Sequence, residues 1–256
     1  MNKIKIDTAA RLLLEARTSG RLLSGLPTEC VPGDVTEGYA VQDAIIASLG
    51  PIGGWKVGAS GPGALPTCAP LPSALIHTAP RSLAFPTSGG LGIEAEIALL
   101  LKHDLPPRSA PYTSADVVAA VGSVHPAIEI VASRFVDHRR QDPLTVLADS
   151  LNNGALLYSA GRTDRCDIDQ TRQPVELYFN GDKRIDAVGG NPAGDILRIV
   201  TWLANHVAHR CGGLRAGQIV TTGSCTGMEL AMPGTAVKAV FAGLGSIEIS
   251  IEGQNP

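Results

Sequence analysis

Two glutamates inside an apolar run constrain this chain more than any other feature. The run extends from Leu91 to Leu101, and Glu94 and Glu96 are its only charged residues. Its apolar content predicts a buried strand, in which side chains alternate between the two faces. The two carboxylates then point the same way, with their Cα atoms roughly 6.6 Å apart. Burial removes solvation from both, and each repels the other, so a bound divalent cation would relieve both costs.

A second strand-like run carries a third acid. Glu129 lies in the middle of the apolar segment from His125 to Arg134. Three carboxylates, completed by water or substrate oxygens, match the octahedral oxygen sites that Mg²⁺ and Mn²⁺ prefer. The alternative is that all three glutamates are surface residues of half-exposed strands, which is the usual position for this residue type.

Charge and cysteine content exclude several classes of function. The chain has 256 residues, enough for one large domain or two small ones, and a net charge of −3 with no run of like charge. We therefore predict no nucleic-acid partner and no membrane-surface partner. No apolar segment reaches the roughly 18 residues of a membrane span. Five widely spaced cysteines without metal-ligand spacing predict reduced thiols in a cytoplasmic protein.

The order of predicted elements indicates an α+β fold rather than a regular βαβ series. One helix is expected after an Asp7-Thr8 cap, a second from Thr36 to Gly50, and a long one from Ala193 to about Cys211. The segment Gly58 to Pro66 is dense in glycine and proline. It predicts a loop, which is either a binding lid or a simple connector.

Turn residues predict two hairpins in the second half of the chain. Asn180-Gly181 follows a strand-like segment that begins at Pro174. Ala242 to Gly245 separates two alternating segments, 236–241 and 246–251.

Several of these segments, in order, resemble the 2-keto-4-pentenoate hydratase / 4-oxalocrotonate decarboxylase family of the fumarylacetoacetate hydrolase superfamily. Each motif alone is weak, but their order along almost the whole chain is specific. The motifs are Gly54-Trp-Lys56-Val-Gly58, Ile93-Glu94-Ala-Glu96, Pro126-Ala-Ile-Glu129 with Ser133-Arg134, Ala148-Asp149-Ser150, Thr222-Gly-Ser-Cys-Thr226-Gly and Gly243-Leu-Gly-Ser-Ile.

The resemblance implies a single domain with a mixed β-roll core, like the fumarylacetoacetate hydrolase C-terminal domain, over residues 51–256, and an N-terminal helical cap over residues 1–50. It implies a homo-oligomer and leaves open a complex with a pathway enzyme. It also implies a 2-keto acid substrate that chelates the metal. The implied metal ligands for Mg²⁺ or Mn²⁺ are Glu94, Glu96 and Glu129, and the implied substrate-binding residues are Lys56, Arg134, Ser150 and Thr226.

Lys56 is the leading candidate for a catalytic residue beside the metal. It lies in an otherwise apolar strand-like segment, where burial would lower its pKa and let it hold the substrate carboxylate or move protons. The alternative is an exposed strand lysine, which composition alone favours.

One departure from the family pattern bears on the reaction. Hydratases of the family usually carry an acid in the loop after the lysine motif, but no Asp or Glu occurs between Val57 and Ile93. Ser150 also replaces the usual Asn. His77 or a metal-bound water is a candidate for the missing acid/base.

The leading hypothesis is therefore a metal-dependent lyase of 2-keto-4-pentenoate hydratase type, acting through an enolate. The alternatives are a 4-oxalocrotonate-type decarboxylase, a keto-enol tautomerase, or a non-catalytic keto-acid-binding subunit.

Overall fold

The computed structural model describes residues 1–85, 90–164 and 169–252. The helices are α1 (Lys3–Ser19), α2 (Val35–Leu49), α3 (Ser114–Ala120), α4 (Pro143–Ala148) and α5 (Ile196–Arg210). The strands are β1 (Ile52–Gly58), β2 (Thr67–Pro72), β3 (Ile76–Thr78), β4 (Arg81–Ala84), β5 (Leu91–Leu101), β6 (Val121–Val131), β7 (Asn153–Tyr158), β8 (Pro174–Phe179), β9 (Asp182–Val188), β10 (Ile219–Ser224), β11 (Glu229–Ala231), β12 (Ala236–Phe241) and β13 (Gly245–Glu252).

The N-terminal helices follow their capping residues. α2 begins after Asp34, whose side chain accepts from the backbone of the first turn, and ends at Gly50, close to the prediction. The predicted start of α1 was wrong, because Asn2 caps it by accepting from the N–H of Lys5. Asp7 and Thr8 therefore lie inside the helix. Asn is as favourable an N-cap residue as Asp, so capping by Asn2 starts the helix about one turn earlier. α3 and α4 were not anticipated, since helices of six or seven residues are too short to show a clear period.

Two sheets form the rest of the molecule. The larger has eight strands in the order β2-β1-β10-β5-β6-β7-β3, with β11 paired to the start of β5. Its centre is the long antiparallel pair β5–β6, whereas β1–β10 and β3–β7 are parallel. The smaller sheet has the order β4-β13-β12-β8-β9. The predicted α+β class with mixed sheets is confirmed.

The two faces of the larger sheet have different surroundings. One face packs against α5 and the smaller sheet, whose strands β12 and β13 contact β6, and it forms most of the apolar core. The sheet also curves, so that β2 approaches β7. Its inner face encloses a small apolar cluster made of Leu71, Ala98, Ala127, Leu156 and Ile219.

Most turn predictions are confirmed. The chain between β1 and β2 is a loop, residues 59–66, and the hairpins β8–β9 and β12–β13 turn at the predicted residues. Residues 67–84 contain the short strands β2, β3 and β4. Within the described residues, no helix has both the length and the apolar character needed to cross a membrane.

Candidate active site

Three carboxylates meet on the inner face of the larger sheet. Glu94 and Glu129 are directly paired across β5 and β6, and Glu96 lies two residues farther along β5 on the same face. Their ligand oxygens, one from each residue, all lie within 4.8 Å of one another. Glu96 and Glu129 are buried and Glu94 is half-buried. The structure therefore brings together the three acids that the two apolar runs predicted.

Two hydrogen-bond donors on β10 hold the carboxylate of Glu96. Its Oε2 accepts hydrogen bonds from the hydroxyl of Thr221 and, at 2.9 Å, from the backbone N–H of Gly223. Gly223 has a φ of +96°, a conformation that a residue with a side chain rarely adopts. The turn at Gly223 thus aims a backbone donor at the carboxylate.

Glu129 has one satisfied and one unsatisfied oxygen. Its Oε1 accepts from Lys56 Nζ at 2.6 Å and from Asn153 Nδ2 at 3.0 Å. Its Oε2 is buried and has no hydrogen-bond partner among the described residues. Buried carboxylate oxygens almost always have a partner, so this orphan oxygen indicates a place for a cation.

Burial, together with the crowding of negative charge, raises the pKa of two of these carboxyls. For Glu96, burial is the largest cause, and the charges of Glu129 and Glu94 add to it, raising its pKa from 4.5 to about 8. For Glu94, burial also raises the pKa, Lys56 lowers it and Glu129 raises it further. A divalent cation would remove this electrostatic cost, because it compensates the charge that burial penalises.

Lys56 is a firmly protonated cation, which corrects the expectation of a lowered pKa. Burial alone would lower the pKa of this lysine, but the nearby charges of Glu129, Glu94 and Glu96 outweigh burial and raise it. Its Nζ donates to Glu129 and, at 3.0 Å, to the carbonyl of Leu151. An ammonium group has three N–H donors, so one remains for a third acceptor.

A left-handed turn supplies the carbonyl that binds Lys56. Ser150, Leu151 and Asn152 have φ values of +52°, +53° and +59°. This conformation costs roughly 1–2 kcal/mol per residue with a side chain. The turn directs the Leu151 carbonyl to Lys56 and leads into Asn153. Ser150, the first residue of the turn, is buried and does not line the cavity described below, so its position does not support the substrate-binding role predicted for it.

The buried guanidinium of Arg134 secures this turn. It forms an ion pair with Asp149, and donates to the backbone carbonyls of Ala132, Asp149 and Asn153. These bonds use the guanidinium within the protein. The position of Arg134 therefore indicates a structural role and does not support the substrate-binding role predicted for it.

Thr226 belongs to the segment after β10 that borders the site. Its hydroxyl accepts from the N–H of Ala95 at 3.3 Å, which ties this segment to β5 between the two glutamates. Ser224 and Gly227, on either side of it, line the cavity, whereas Thr226 does not. Its position supports an indirect role in shaping the wall of the site.

A cavity of about 410 Å³ opens onto the carboxylates. Its only titratable lining groups among the described residues are Lys56 and the three glutamates. This agrees with the absence of an acid between Val57 and Ile93. The full lining is Lys56, Val57, Gly58, Thr67, Glu94, Glu96, Glu129, Leu151, Gly190, Pro192, Gly223, Ser224 and Gly227.

His77 does not reach this cavity. Its neighbour Ile76 pairs with Leu156, which pairs with Glu129, so Ile76 shares the face of the carboxylates and His77 points to the opposite face. His77 lines a different cavity, together with Arg134. The expectation that it replaces the missing acid is corrected, because the sheet separates it from the three glutamates.

Sequence reasoning missed several groups that contact the carboxylates. Asn153 and Leu151 follow the Ala148-Asp149-Ser150 motif, but neither was assigned a role. Thr221 and Gly223 lie in β10, next to or within a motif from which only Thr226 was assigned a role. Asn153 carried one usable signal, since a polar residue that opens an apolar strand requires a partner. The carbonyl of Leu151 carried none, because its direction depends on the left-handed turn.

Comparison with known proteins identifies related sequences. The family model described as "Fumarylacetoacetate (FAA) hydrolase C-terminal" matches residues 66–252. A 2-keto-4-pentenoate hydratase of Paraburkholderia phymatum is 28% identical over 257 residues, covering 96% of this chain and 97% of that protein. A 4-oxalocrotonate decarboxylase of Pseudomonas putida is 30% identical over 155 residues, covering 61% of this chain and 58% of that protein.

A solved structure shares the fold. The 4-oxalocrotonate decarboxylase from Pseudomonas putida G7, complexed with magnesium and adipate, matches with a TM-score of 0.85 and 22% identity and covers 98% of each chain. At this identity the likeness concerns the fold.

Proposed function

Because the chain belongs to the fumarylacetoacetate hydrolase C-terminal family, we propose that it is a divalent-metal-dependent enzyme acting on a short 2-keto or 2-hydroxy-dienoic acid through an enolate. One observation carries the proposal: three clustered carboxylates, one with an orphan buried oxygen, face a cavity of about 410 Å³. The names of its relatives, hydratases and decarboxylases, support the same class of reaction.

The donor set fits a hard divalent cation. Glu94, Glu96 and Glu129 would hold Mg²⁺ or Mn²⁺, because an all-carboxylate set with no His or Cys selects oxygen-loving metals. The related decarboxylase of known structure is complexed with magnesium. When bound, such a cation supplies a Lewis acid that stabilises negative charge on the 2-oxygen of a keto acid.

The protein groups around the metal ligands bind and orient the substrate. Lys56 keeps one N–H free of protein acceptors and carries a full positive charge, so it would bind the anionic head group of the substrate. Its other two donors hold it between Glu129 and Leu151. The head group would thus meet a fixed cation, with little reorganisation during the reaction.

The uncharged part of the cavity lining favours a monocarboxylate substrate over a dicarboxylate. Among the described residues that line the cavity, only Lys56 and the three glutamates carry a charge, whereas Gly58, Thr67 and Pro192 are uncharged. A second carboxylate on the substrate would lose its hydration there without gaining a cation. This favours a hydratase-type substrate over that of a 4-oxalocrotonate-type decarboxylase.

Apart from Lys56 and the proposed metal ligands, the described residues that line the cavity offer no acid or base to deliver water. Enolisation requires charge stabilisation on the 2-oxygen and transfer of a C3 proton, both at the head end, whereas hydration also requires an activated water near the far end of the substrate. Keto-enol tautomerisation is therefore the second candidate activity. A non-catalytic keto-acid-binding subunit is the alternative if neither reaction occurs.

The proposal extends to the organisation of the chain. Every cavity-lining residue lies between Lys56 and Gly227, so residues 51–256 form the proposed catalytic core and residues 1–50 its helical cap. A homo-oligomer, a complex with a pathway enzyme and a cytoplasmic location are further parts of the proposal. Light scattering of the purified protein, alone and with a candidate partner, tests the first two.

A pair of assays tests the activity. Loss of 2-hydroxypentadienoate should require Mg²⁺ or Mn²⁺ and stop with EDTA, and C3 protons of a 2-keto acid should exchange with deuterium under the same conditions. Glu94→Gln and Glu129→Gln should weaken calorimetric Mg²⁺ binding, whereas Glu248→Gln, at an exposed ion pair with Lys238, should not. Metal affinity unchanged in both site variants would refute the metal centre.

A further inference from the structure

A second cavity lies across the larger sheet from the carboxylates. It measures about 250 Å³ and is enclosed by the end of α1, the starts of β3 and β7, the end of β4, and the chain after β6. Ala155 and His77 line it from the sheet face opposite Glu129. Most of the wall is apolar, and the largest apolar residues in it are Leu22, Leu75, Leu83 and Phe85.

Two guanidinium groups border this cavity, with one carboxylate to balance them. Arg134 is paired with Asp149. Arg17, in the last turn of α1, donates from Nη2 to the carbonyl of Asn153 at 2.9 Å and has no ion-pair partner within the described part of the chain. Arg17 is half-buried. A cation that is partly removed from water without a counter-charge is costly, so this wall carries one positive charge that an anion would compensate.

The ionisation of Arg17 agrees with this imbalance. Burial and the neighbouring charge of Arg134 lower its pKa to about 9, although Asp149 opposes the change. The guanidinium is still protonated at neutral pH. An anion beside it would restore the pKa toward its ordinary value, because an opposite charge favours the charged form.

His77 adds a second polar group to the same wall. Burial and the charge of Arg81 lower the pKa of its imidazole, so the ring is neutral at pH 7 and can donate one N–H. We propose that this cavity is a binding site for a small monocarboxylate with a short apolar chain, whose carboxylate faces Arg17 and His77 and whose chain contacts the leucines and Phe85. Its volume falls below the roughly 300–1,000 Å³ of ordinary ligand pockets, which restricts the ligand to a few carbon atoms.

Binding of butyrate to the full-length protein tests the proposal. The imidazole NMR signals of His77, assigned with His77→Gln, report binding at this cavity. Butyrate should shift them in a saturable way, and butyramide, its neutral analogue, should bind at least about tenfold more weakly because it lacks the charge. The affinity should be the same with EDTA as with Mg²⁺. A carboxylate at the metal centre would require the metal, so this result does not depend on the proposed enzyme function.

Variants of Arg17 complete the test. Arg17→Met should weaken butyrate binding at least about tenfold, whereas Arg21→Met, a matched change at an exposed arginine just beyond the same helix, should leave it unchanged. Arg17→Lys keeps the charge and should retain binding if Arg17→Met fails to fold. Equal affinity for butyrate and butyramide, equal affinity in wild type and Arg17→Met, or shifts that appear only with Mg²⁺ would each overturn the proposal.

Discussion

Glu96 links stability to pH in the metal-free protein. Burial, Glu129 and Glu94 raise its pKa from 4.5 to about 8. Between these values the folded state keeps a proton that the unfolded state has released, so the free energy of unfolding falls as the pH rises. The slope is at most about 1.4 kcal/mol per pH unit, so a rise from about pH 5.5 to about pH 7.5 should remove up to about 3 kcal/mol.

Other groups contribute to the same profile, and a matched variant separates them. Glu94 acts in the same direction, because its pKa is also raised. His77 and His206 act in the opposite direction, because their pKa values are lowered and the unfolded state then holds the extra proton at acidic pH. Glu96→Gln removes one titration and keeps an oxygen for the donors on β10. Its stability should therefore change less steeply with rising pH than that of wild type.

Urea unfolding followed by circular dichroism, in EDTA and at several pH values, measures this difference. Saturating Mg²⁺ should restore the stability of wild type at neutral pH, since a ligand at about 100 times its Kd contributes about 2.7 kcal/mol. Glu96→Gln should gain much less. Parallel pH profiles for wild type and Glu96→Gln in EDTA would refute the argument, because the elevated pKa would then not exist.

Three further predictions follow from the contacts of the site. Asp149→Asn should lower the free energy of unfolding by about 3–5 kcal/mol, because it leaves the Arg134 charge buried without a partner. Asp137→Asn, at an exposed pair, should cost less than about 1 kcal/mol in the same urea experiment. Lys56→Met should slow C3 proton exchange by about tenfold or more by removing a charged hydrogen bond. In Lys56→Met the calorimetric Mg²⁺ affinity should not fall, because the substitution removes a positive charge from beside the carboxylates. A loss of Mg²⁺ affinity that accompanies the slower exchange would contradict the role assigned to Lys56. Wild type should exchange the C3 protons of a 2-keto acid faster than it hydrates a 2-hydroxy-dienoate, as followed by NMR and by dienoate absorbance. Rapid hydration would show that an acid/base outside the predicted set serves the reaction.

The sequence alone determined the carboxylate trio and many of the elements that carry it. β5 and β12 have the predicted bounds, and the hairpin turns lie where Asn180-Gly181 and Ala242–Gly245 place them. These features are local, because alternation with period two and turn-forming residues operate over a few neighbouring positions. Glu94 and Glu96 share a face for that reason alone. The proximity of Glu129 required in addition that β5 and β6 pair in the register that places Glu94 opposite Glu129.

Only the tertiary structure decided what surrounds the trio. The raised pKa of Lys56 depends on carboxylates far away in sequence, so the local apolar segment indicated the opposite direction. The left-handed turn at 150–152 is stabilised by the buried pair of Arg134 and Asp149, which no local pattern reveals. The position of His77 depends on the pairing of β3 with β7, some eighty residues later in the chain. A shift of one residue in that pairing would turn the imidazole toward the carboxylates, because alternate residues of a strand face opposite sides of a sheet.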